Sequence, residues 1–381
     1  MHSIEAFARA AAQKMEGVHG EDEEARAALA LLAEEGLLTH TVPARWGGAT
    51  RKDVDAGQVS VRSLCEVRQT LAFHCGMLDL MFVEQGLGSY AVSLGGNGDW
   101  VQPLLRDVMA GRQVSAFALT EEGAGSDLGA VATTAVRDGS DWVLNGSKTF
   151  ITNAGIADFY TVLARTGDEG PGRGALSMFC VPADAPGLSV RRFEVMAPHP
   201  IGEVHFDNVR VSGDRLLREE GQGLDLALAV LGRFRTSVAA AALGFSRRAQ
   251  QESLTHLDRR QQFGKPLSAF QGLRFDLAEM DIRLRAGELL VEEAANLLDA
   301  GEDGASAVAR AKWFATESAS WICDRAVQHL GGLGVRRGQI VERLYREVRA
   351  LRIYEGTSEV QKLILAKNLI TEHRENAKNH G

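Results

Sequence analysis

The sequence predicts an α+β fold of three domains: an N-terminal all-α domain over residues 1–112, a middle antiparallel β-barrel-like domain over residues 113–222, and a C-terminal four-helix-type bundle over residues 223–381. Two changes in the hydrophobic pattern support this prediction. Apolar residues recur at the helical period in the first and last parts of the chain, whereas the middle part contains short β-branched and aromatic runs. The length of 381 residues agrees with three domains, since a chain of this size forms roughly two or three domains.

The N-terminal domain is predicted from amphipathic segments that short turns separate. In EEARAALALLAEEGLL the residues near one helix face are Ala27, Leu31, Leu32 and Leu38. The segments VSVRSLCEVRQTLAFHC and WVQPLLRDVMAG have the same period, and turns such as PARWGG and GGNGD lie between such segments. We therefore expect several packed helices here.

The middle domain is predicted from the change of pattern after Val114. Alternating runs such as VSAFAL, DFYTVLART and EVHFDNVRV continue to about Leu217. The pairs Asp138-Gly139 and Asn145-Gly146 are strong turn signals between such runs. Helical periodicity is absent, so we expect an antiparallel β domain and not a βαβ array.

The C-terminal domain is predicted from long helical segments that follow REEGQG. The first, LDLALAVLGRFRTSVAAAALGFSRRAQQESLTHLDRR, is long enough for about nine turns, and its alanines permit close helix packing. Two further long segments and the stretch over residues 349–369 follow with short connections. Helices of this kind with short connections form a bundle.

Composition and charge narrow the function classes. A net charge of −8 argues against nucleic-acid binding. The sequence contains no run of about 18 apolar residues, so it predicts no membrane span. The N-terminal segment lacks the hydrophobic core of a signal peptide, and acidic residues follow it closely. The four cysteines, at positions 65, 75, 180 and 323, form no CxxC motif. We expect a cytoplasmic protein with reduced thiols and no metal site.

Four segments, in this order and spacing, closely resemble the acyl-CoA dehydrogenase family of flavoenzymes. They are LTEEGAGSDLGA, GSKTFITNAGIADFYTVLAR, DRRQQFGKPLSAFQGLRFDLAEM and QHLGGLGVRRGQIVERLYREVRALRIYEGTSEVQ. The resemblance covers nearly the whole chain and is weakest near its beginning. It implies FAD as cofactor, α,β-desaturation of an acyl thioester, an electron-transferring flavoprotein as partner, and a homotetramer or at least a homodimer.

Glu355 is the candidate general base. It stands in RIYEGTS, where an acid between apolar residues and a Gly-Thr-Ser break is either a solvated loop residue or a base on a rigid turn. The resemblance favours the second, since Glu355 matches the family's base and its N–H matches a donor to the thioester oxygen. Apolar neighbours would raise its pKa. The substrate-binding positions implied with it are Ser126, Arg235, Tyr354 and Gly356.

Some family members carry the base on the first bundle helix instead. The matching position here is Phe234, and no carboxylate lies close to it in the sequence. Glu355 is therefore the base candidate that the sequence offers.

The resemblance also implies a set of FAD contacts. A glycine-rich loop can bring its backbone N–H groups close to a diphosphate, and an aromatic side chain can cover the flavin ring. Phe150 would lie against the isoalloxazine, with the Thr152 hydroxyl near N5. A neighbouring subunit would supply two groups of contacts, one at Arg260, Gln262 and Phe263 and the other at Gln328, Gly331 and Gly332. The full set is Leu119, Thr120, Ser126, Phe150, Thr152, Arg260, Gln262, Phe263, Gln328, Gly331, Gly332, Thr357 and Glu359.

Two departures from the family leave the thioester carrier open. The stretch VMAPHPIGEV is shorter than its family counterpart and lacks the usual Ser/Thr pattern, and Gly232 stands where several members carry Asp. The acyl group is therefore carried on coenzyme A, as in most members, or on an acyl carrier protein. Two further alternatives are an oxygen-using flavin oxidase or monooxygenase, which often lacks the YEGTS base, and a catalytically silent flavin-binding protein, which would have lost the base or the FAD loop.

Overall fold

The computed structural model describes residues 2–167 and 173–379, and these contain helices, then strands, then helices in the predicted order. The predicted α+β class is confirmed. The domain limits at residues 112 and 222 stay predictions, and residues 1, 168–172 and 380–381 within those domains lie outside the described residues. Backbone contacts group the chain into two compact units, one of residues 9–60 and 77–234, the other of residues 1–8, 61–76 and 235–381.

Among the described residues, five α-helices precede the first strand. They are α1 (His2–Met15), α2 (Glu21–Glu34), α3 (Val61–His74), α4 (Gly76–Gly95) and α5 (Val101–Met109). Four acidic residues occupy the first turn of α2, where the helix dipole favours negative charge. Most side chains of α4 are buried, so this helix is apolar on nearly all sides.

Eight strands of the middle segment form one mixed sheet. They are β1 (Ser115–Ala118), β2 (Thr134–Asp138), β3 (Asp141–Thr152), β4 (Phe159–Arg165), β5 (Leu176–Pro182), β6 (Leu188–Arg192), β7 (Ile201–Val211) and β8 (Leu216–Leu217). Their order is β6-β7-β3-β2-β4-β5-β8, with β1 beside β4. The pairing is antiparallel except where β4 meets β1 and, at one residue pair, β2.

The two predicted turn pairs have different outcomes. Gly139 forms the turn between β2 and β3, at φ 64°, as predicted. The prediction for Asn145-Gly146 was wrong, because these residues lie inside β3 at a register shift against β7. A Cβ on Gly146 would stand 2.6 Å from the hydroxyl oxygen of Thr133, so the glycine permits a close approach within a bulge.

The remaining elements are mostly long helices. They are α6 (Gly223–Arg259), the short strands β9 (Gln261–Gln262) and β10 (Lys265–Pro266), α7 (Gln271–Asp299), α8 (Ala305–Leu330), α9 (Ile340–Leu351) and α10 (Ser358–Asn379). Helix α8 packs against α7, α9 and α10. Their core is rich in alanine, which lets the helices approach closely.

Helix α6 has one property that the sequence analysis missed. It contains an 18-residue window with a mean hydropathy of 1.5, which makes it long and apolar enough to cross a membrane by length and composition. However, 78% of that window is buried inside the protein. This is the environment of a core helix.

Candidate active site

The predicted base lies on a tight connection between two helices. Helix α9 ends at Leu351 and α10 begins at Ser358, and residues 352–357 between them are called the Glu355 turn below. Glu355 is half-buried and has φ 51°, in the left-handed region. A side-chain-bearing residue pays roughly 1–3 kcal/mol for such a conformation, so the surrounding structure must hold it there.

Two cations, the buried Lys312 and the half-buried Arg235, hold the Glu355 turn through three consecutive carbonyl groups. The ammonium of Lys312, on α8, donates to the carbonyl oxygen of Tyr354 at 2.6 Å and to that of Gly356. The guanidinium of Arg235, on α6, donates from Nε to the carbonyl oxygen of Glu355 at 2.7 Å. Charge-assisted hydrogen bonds of this kind are about twice as strong as neutral ones. The backbone on both sides of Glu355 is therefore fixed.

Burial affects both cations strongly. It lowers the pKa of Lys312 to about 8, while the nearby Glu355 charge opposes this lowering and Arg235 adds to it. Burial likewise lowers the pKa of Arg235, and the Glu355 charge again opposes it. The negative charge at Glu355 thus offsets part of the cost of burying two positive groups.

The expected apolar surroundings of Glu355 are only partly present. Ile353 and Tyr354 expose 54% and 38% of their surface, respectively. Two charged groups, Lys312 and Arg235, interact electrostatically with Glu355. From the sequence, we expect apolar neighbours to enclose Glu355 and raise its pKa. Because Ile353 and Tyr354 are exposed in the single chain, these two side chains do not provide that enclosure.

A second residue of α8 holds both ends of the Glu355 turn. Glu317 accepts a hydrogen bond from the hydroxyl of Ser358 at 2.6 Å and pairs with the guanidinium of Arg352 at 2.9 Å. At the start of α10, the Thr357 hydroxyl accepts the N–H of Val360 at 3.3 Å, which is the role of a helix N-cap. Glu359 is exposed in the first turn of that helix.

The position of the alternative base holds a buried ring. Phe234 is fully buried and lies 5.6 Å from the ring of Tyr90, centroid to centroid. A Cβ on Gly86 would stand 2.4 Å from the Phe234 ring, so glycine at that position makes room for it. No proton acceptor is available from Phe234 itself.

The glycine-rich loop, residues 119–127, rests on a buried ion pair. The ammonium of Lys148 lies 2.8 Å from the Glu121 carboxylate and donates to the carbonyl oxygen of Leu119 at 3.1 Å. Glu121 also accepts the N–H groups of Ala132 and Thr133 at 2.7 and 2.9 Å. Burial lowers the pKa of Lys148 to about 8, with Glu121 opposing the change. This pair fixes the base of the loop, on which Thr120 is half-buried and Ser126 exposed.

Phe150 projects from a strand irregularity. The register of β3 against β7 shifts between Lys148 and Ile151, and Phe150 has φ 56° with 62% of its surface exposed. The N–H of Thr149 next to it donates to the carbonyl oxygen of Thr120 at 2.9 Å. A large aromatic side chain held outward in a strained conformation is expected where a ring system is to be covered. Thr152, two residues on, is half-buried.

The residues predicted to contact FAD in a neighbouring subunit lie on the surface. Phe263, in the hairpin of β9 and β10, exposes 91% of its surface at φ 53°, and Arg260 and Gln262 are also exposed. Gln328 is exposed in the last turn of α8, which ends at Leu330, and Gly331 follows at φ 57°. Exposure of an arginine, an amide and an aromatic ring together is compatible with contacts made between subunits.

The backbone and side-chain groups of these segments fit FAD. Added Cβ atoms on Gly123 and Gly125 would meet nothing within 4 Å, so a ligand can reach the backbone of the glycine-rich loop. The hydroxyl of Thr120 and the guanidinium of Arg260 are donors that suit a diphosphate. The outward ring of Phe150 suits an isoalloxazine.

The sequence did not reveal four charged residues: the buried Lys312, Lys148 and Glu121, and the half-buried Glu317. One signal could have identified Lys312. It follows Val308 by four residues and precedes Ala315 by three, so the helical period places it on the buried face of α8. A lysine on a buried face indicates a specific partner, because such a charge is rarely buried alone.

Comparisons with known proteins agree with this geometry. Two family models match the chain, that of the acyl-CoA dehydrogenase middle domain over residues 116–209 and that of the acyl-CoA dehydrogenase C-terminal domain over residues 221–370. The chain is 35% identical over 347 residues to cyclohexane-1-carbonyl-CoA dehydrogenase of Geobacter metallireducens, covering 90% of the chain and 89% of that relative.

Solved structures are similar over almost the full length. The butyryl-CoA dehydrogenase of Megasphaera elsdenii matches with a TM-score of 0.87 and 29% identity, covering 97% of both chains. A glutaryl-CoA dehydrogenase of Mycobacterium smegmatis in complex with FADH2 matches with a TM-score of 0.85 and 27% identity, covering 97% of this chain and 94% of that chain.

Proposed function

Because the chain belongs to the acyl-CoA dehydrogenase family and is an oxidoreductase, we propose that it desaturates an acyl thioester between the α and β carbons, with Glu355 as the base. One observation carries this proposal. A carboxylate is held in a left-handed conformation on a turn whose three carbonyl groups at positions 354–356 are bonded to the ammonium of Lys312 and the guanidinium of Arg235. Such an arrangement fixes the base before substrate binds, which is the basis of efficient proton transfer.

Glu355 acts on the α-carbon. Its carboxylate accepts the α-proton as the C–H bond breaks, and the electron pair passes towards the thioester carbonyl. The N–H of Glu355 is the donor that this chain offers to the developing oxygen charge, and the fixed φ of 51° sets its direction. FAD, when bound, supplies N5 as the acceptor of the β-hydride. Ser126, Arg235, Tyr354 and Gly356 complete the substrate-binding set.

FAD would be held by two groups of residues. The glycine-rich loop, Phe150, Thr152, Thr357 and Glu359 serve one subunit's cofactor. Arg260, Gln262, Phe263, Gln328, Gly331 and Gly332 reach a neighbour's cofactor, so a homodimer is the smallest complete unit and a homotetramer the expected one. Their high exposure in the single chain supports this arrangement. The proposed partner that reoxidises the flavin is an electron-transferring flavoprotein. The proposed location of the protein is the cytoplasm.

Coenzyme A is the proposed carrier of the acyl group. Each missing contact in the shortened segment and at Gly232 is worth only about 0.5–1.5 kcal/mol, too little to exclude a nucleotide. Loop sequences also vary enough to supply replacement contacts.

An anaerobic titration tests the proposal. The purified protein should show a flavin spectrum that bleaches when it is mixed with a matching acyl-CoA from a panel of chain lengths and ring-containing acyl groups. Admitting oxygen should reoxidise the flavin slowly relative to electron-transferring flavoprotein. Rapid reoxidation by oxygen would support the oxidase alternative, and a flavin that no thioester bleaches would support the silent one.

A further inference from the structure

We propose that Lys312 is a positioning residue for the base: by bonding to the carbonyl oxygens of Tyr354 and Gly356, it holds Glu355 between them in the conformation that removes the α-proton. This inference rests on the proposed role of Glu355 and extends it to a residue on another helix. Helix α8 would then contribute to catalysis through Lys312, in addition to packing in the helix core.

The geometry suits this role. One ammonium donates to the residue before Glu355, at 2.6 Å, and to the residue after it. An ammonium has three donors on a single atom, so two of them can fix the separation of two carbonyl groups. With both flanking peptides fixed, the φ of 51° at Glu355 has little freedom to relax towards a common value.

The cost of burying Lys312 indicates that its charge has a function. Its side chain is 1% exposed, and burial lowers its pKa to about 8. An apolar side chain of similar length would fill the same space without that cost, but would leave the carbonyl groups of Tyr354 and Gly356 without this donor. The buried charge therefore serves the turn and not the packing of α8.

Other side chains share in holding the turn, and Gln361 also donates to the carbonyl oxygen of Gly356 at 2.9 Å. Arg235 bonds to the carbonyl oxygen of Glu355 from α6, and Glu317 bonds to the ends of the turn at Arg352 and Ser358. Loss of Lys312 would thus remove one bond on each side of Glu355, while Arg235 would still bond to the carbonyl oxygen of Glu355 itself.

The test compares Lys312→Met with the wild type and with Lys362→Met, an exposed lysine on α10 as control. The Met variant keeps the length of the stem and removes the ammonium. At saturating acyl-CoA, its rate of flavin reduction should fall by about tenfold to a hundredfold, the effect of misplacing a reacting group by about 1 Å. Flavin content and thioester Kd should stay unchanged, and the isotope effect with α-deuterated thioester should rise because proton removal becomes slower.

A second measurement does not depend on activity. Hydrogen exchange, followed by mass spectrometry, should be faster in the peptide that contains the Glu355 turn of Lys312→Met, and unchanged in that peptide of Lys362→Met. If Lys312→Met does not fold, Lys312→Gln takes its place, because it keeps an N–H donor but loses the charge and the reach. Unchanged exchange and unchanged flavin reduction in the folded variant would overturn the proposal.

The failure of this inference can be told apart from the failure of the proposed function. If Glu355→Gln reduces flavin at the wild-type rate, Glu355 is not the base and both ideas are wrong. If Glu355→Gln is inactive while Lys312→Met is normal, only the inference about Lys312 is wrong. In the Glu355→Gln background, adding Lys312→Met should produce little further loss of rate, because both changes affect one group.

Discussion

The carboxylate of Glu121 and the ammonium of Lys148 form a buried ion pair, with Oε1 and Nζ 2.8 Å apart, beneath the glycine-rich loop. The pair joins the loop to strand β3 two residues before Phe150. Two parts of the proposed flavin site thus depend on one electrostatic contact.

Lys148→Met should therefore lower both stability and flavin content. Removing one partner of a buried pair costs about 3–5 kcal/mol, because the remaining charge stays buried. Thermal unfolding and the ratio of flavin to protein absorbance measure the two effects. Glu122→Gln, at the exposed neighbouring position, is the control and should change neither. Wild-type stability of Lys148→Met would show that the pair contributes nothing.

Glu355→Gln should keep FAD and the thioester but lower the rate of flavin reduction by at least about a hundredfold, the smaller effect typical of a lost general base. Stopped-flow absorbance with an active acyl-CoA measures the rate. Glu372→Gln replaces an exposed carboxylate on α10 and should behave as the wild type. A variant that bleaches its flavin at the wild-type rate excludes Glu355 as the base.

Arg260→Glu should release FAD, since it removes a charge-assisted hydrogen bond worth about 1.5–3 kcal/mol and places a negative charge near the diphosphate. Thermal stability should also fall, because bound cofactor stabilises the folded state. Flavin content after gel filtration and the melting temperature are the readouts. Arg310→Glu, on an exposed part of α8, should stay yellow. The assignment is wrong if Arg260→Glu purifies with full flavin and normal stability.

The thioester carrier can be identified by presenting one acyl group on coenzyme A, on pantetheine and on an acyl carrier protein. Our proposal predicts the highest kcat/KM for coenzyme A, because the nucleotide adds contacts that pantetheine lacks. Flavin bleaching gives the three values. Equal values for coenzyme A and pantetheine, with a much higher value on the carrier protein, would reverse the choice.

The buried lysines should also affect how stability depends on pH. Burial lowers the pKa of Lys148 and of Lys312 from 10.5 to about 8. Between these values the unfolded chain binds more protons than the folded one, so each lysine makes the free energy of unfolding rise with pH from about 8 to 10.5. Urea unfolding at several pH values should show that the wild type gains stability relative to Lys148→Met over this range. A difference that stays constant with pH would contradict the lowered pKa.

The sequence predicted the architecture well because local periodicity distinguishes helices from strands along the whole chain. It was wrong at Asn145-Gly146, since a turn and a bulge both need glycine and only the cross-strand neighbour decides between them. Glu355 could be found because its motif is contiguous. The helical period indicates that Lys312 is buried, but the partners of Lys148 and Lys312 could not be assigned, because they are distant in sequence.

The buried ring of Phe234 restricts how this enzyme could be redesigned. Transferring the carboxylate to position 234 would replace a planar ring by a thinner, charged chain and open a void beside Gly86. A charge placed there would also lie next to Tyr90, in a fully buried pocket. A Phe234→Glu change would therefore need a larger residue at position 86 and a new polar partner. Whether position 234 on α6 can carry the carboxylate thus depends on the size of the residue at position 86 on α4.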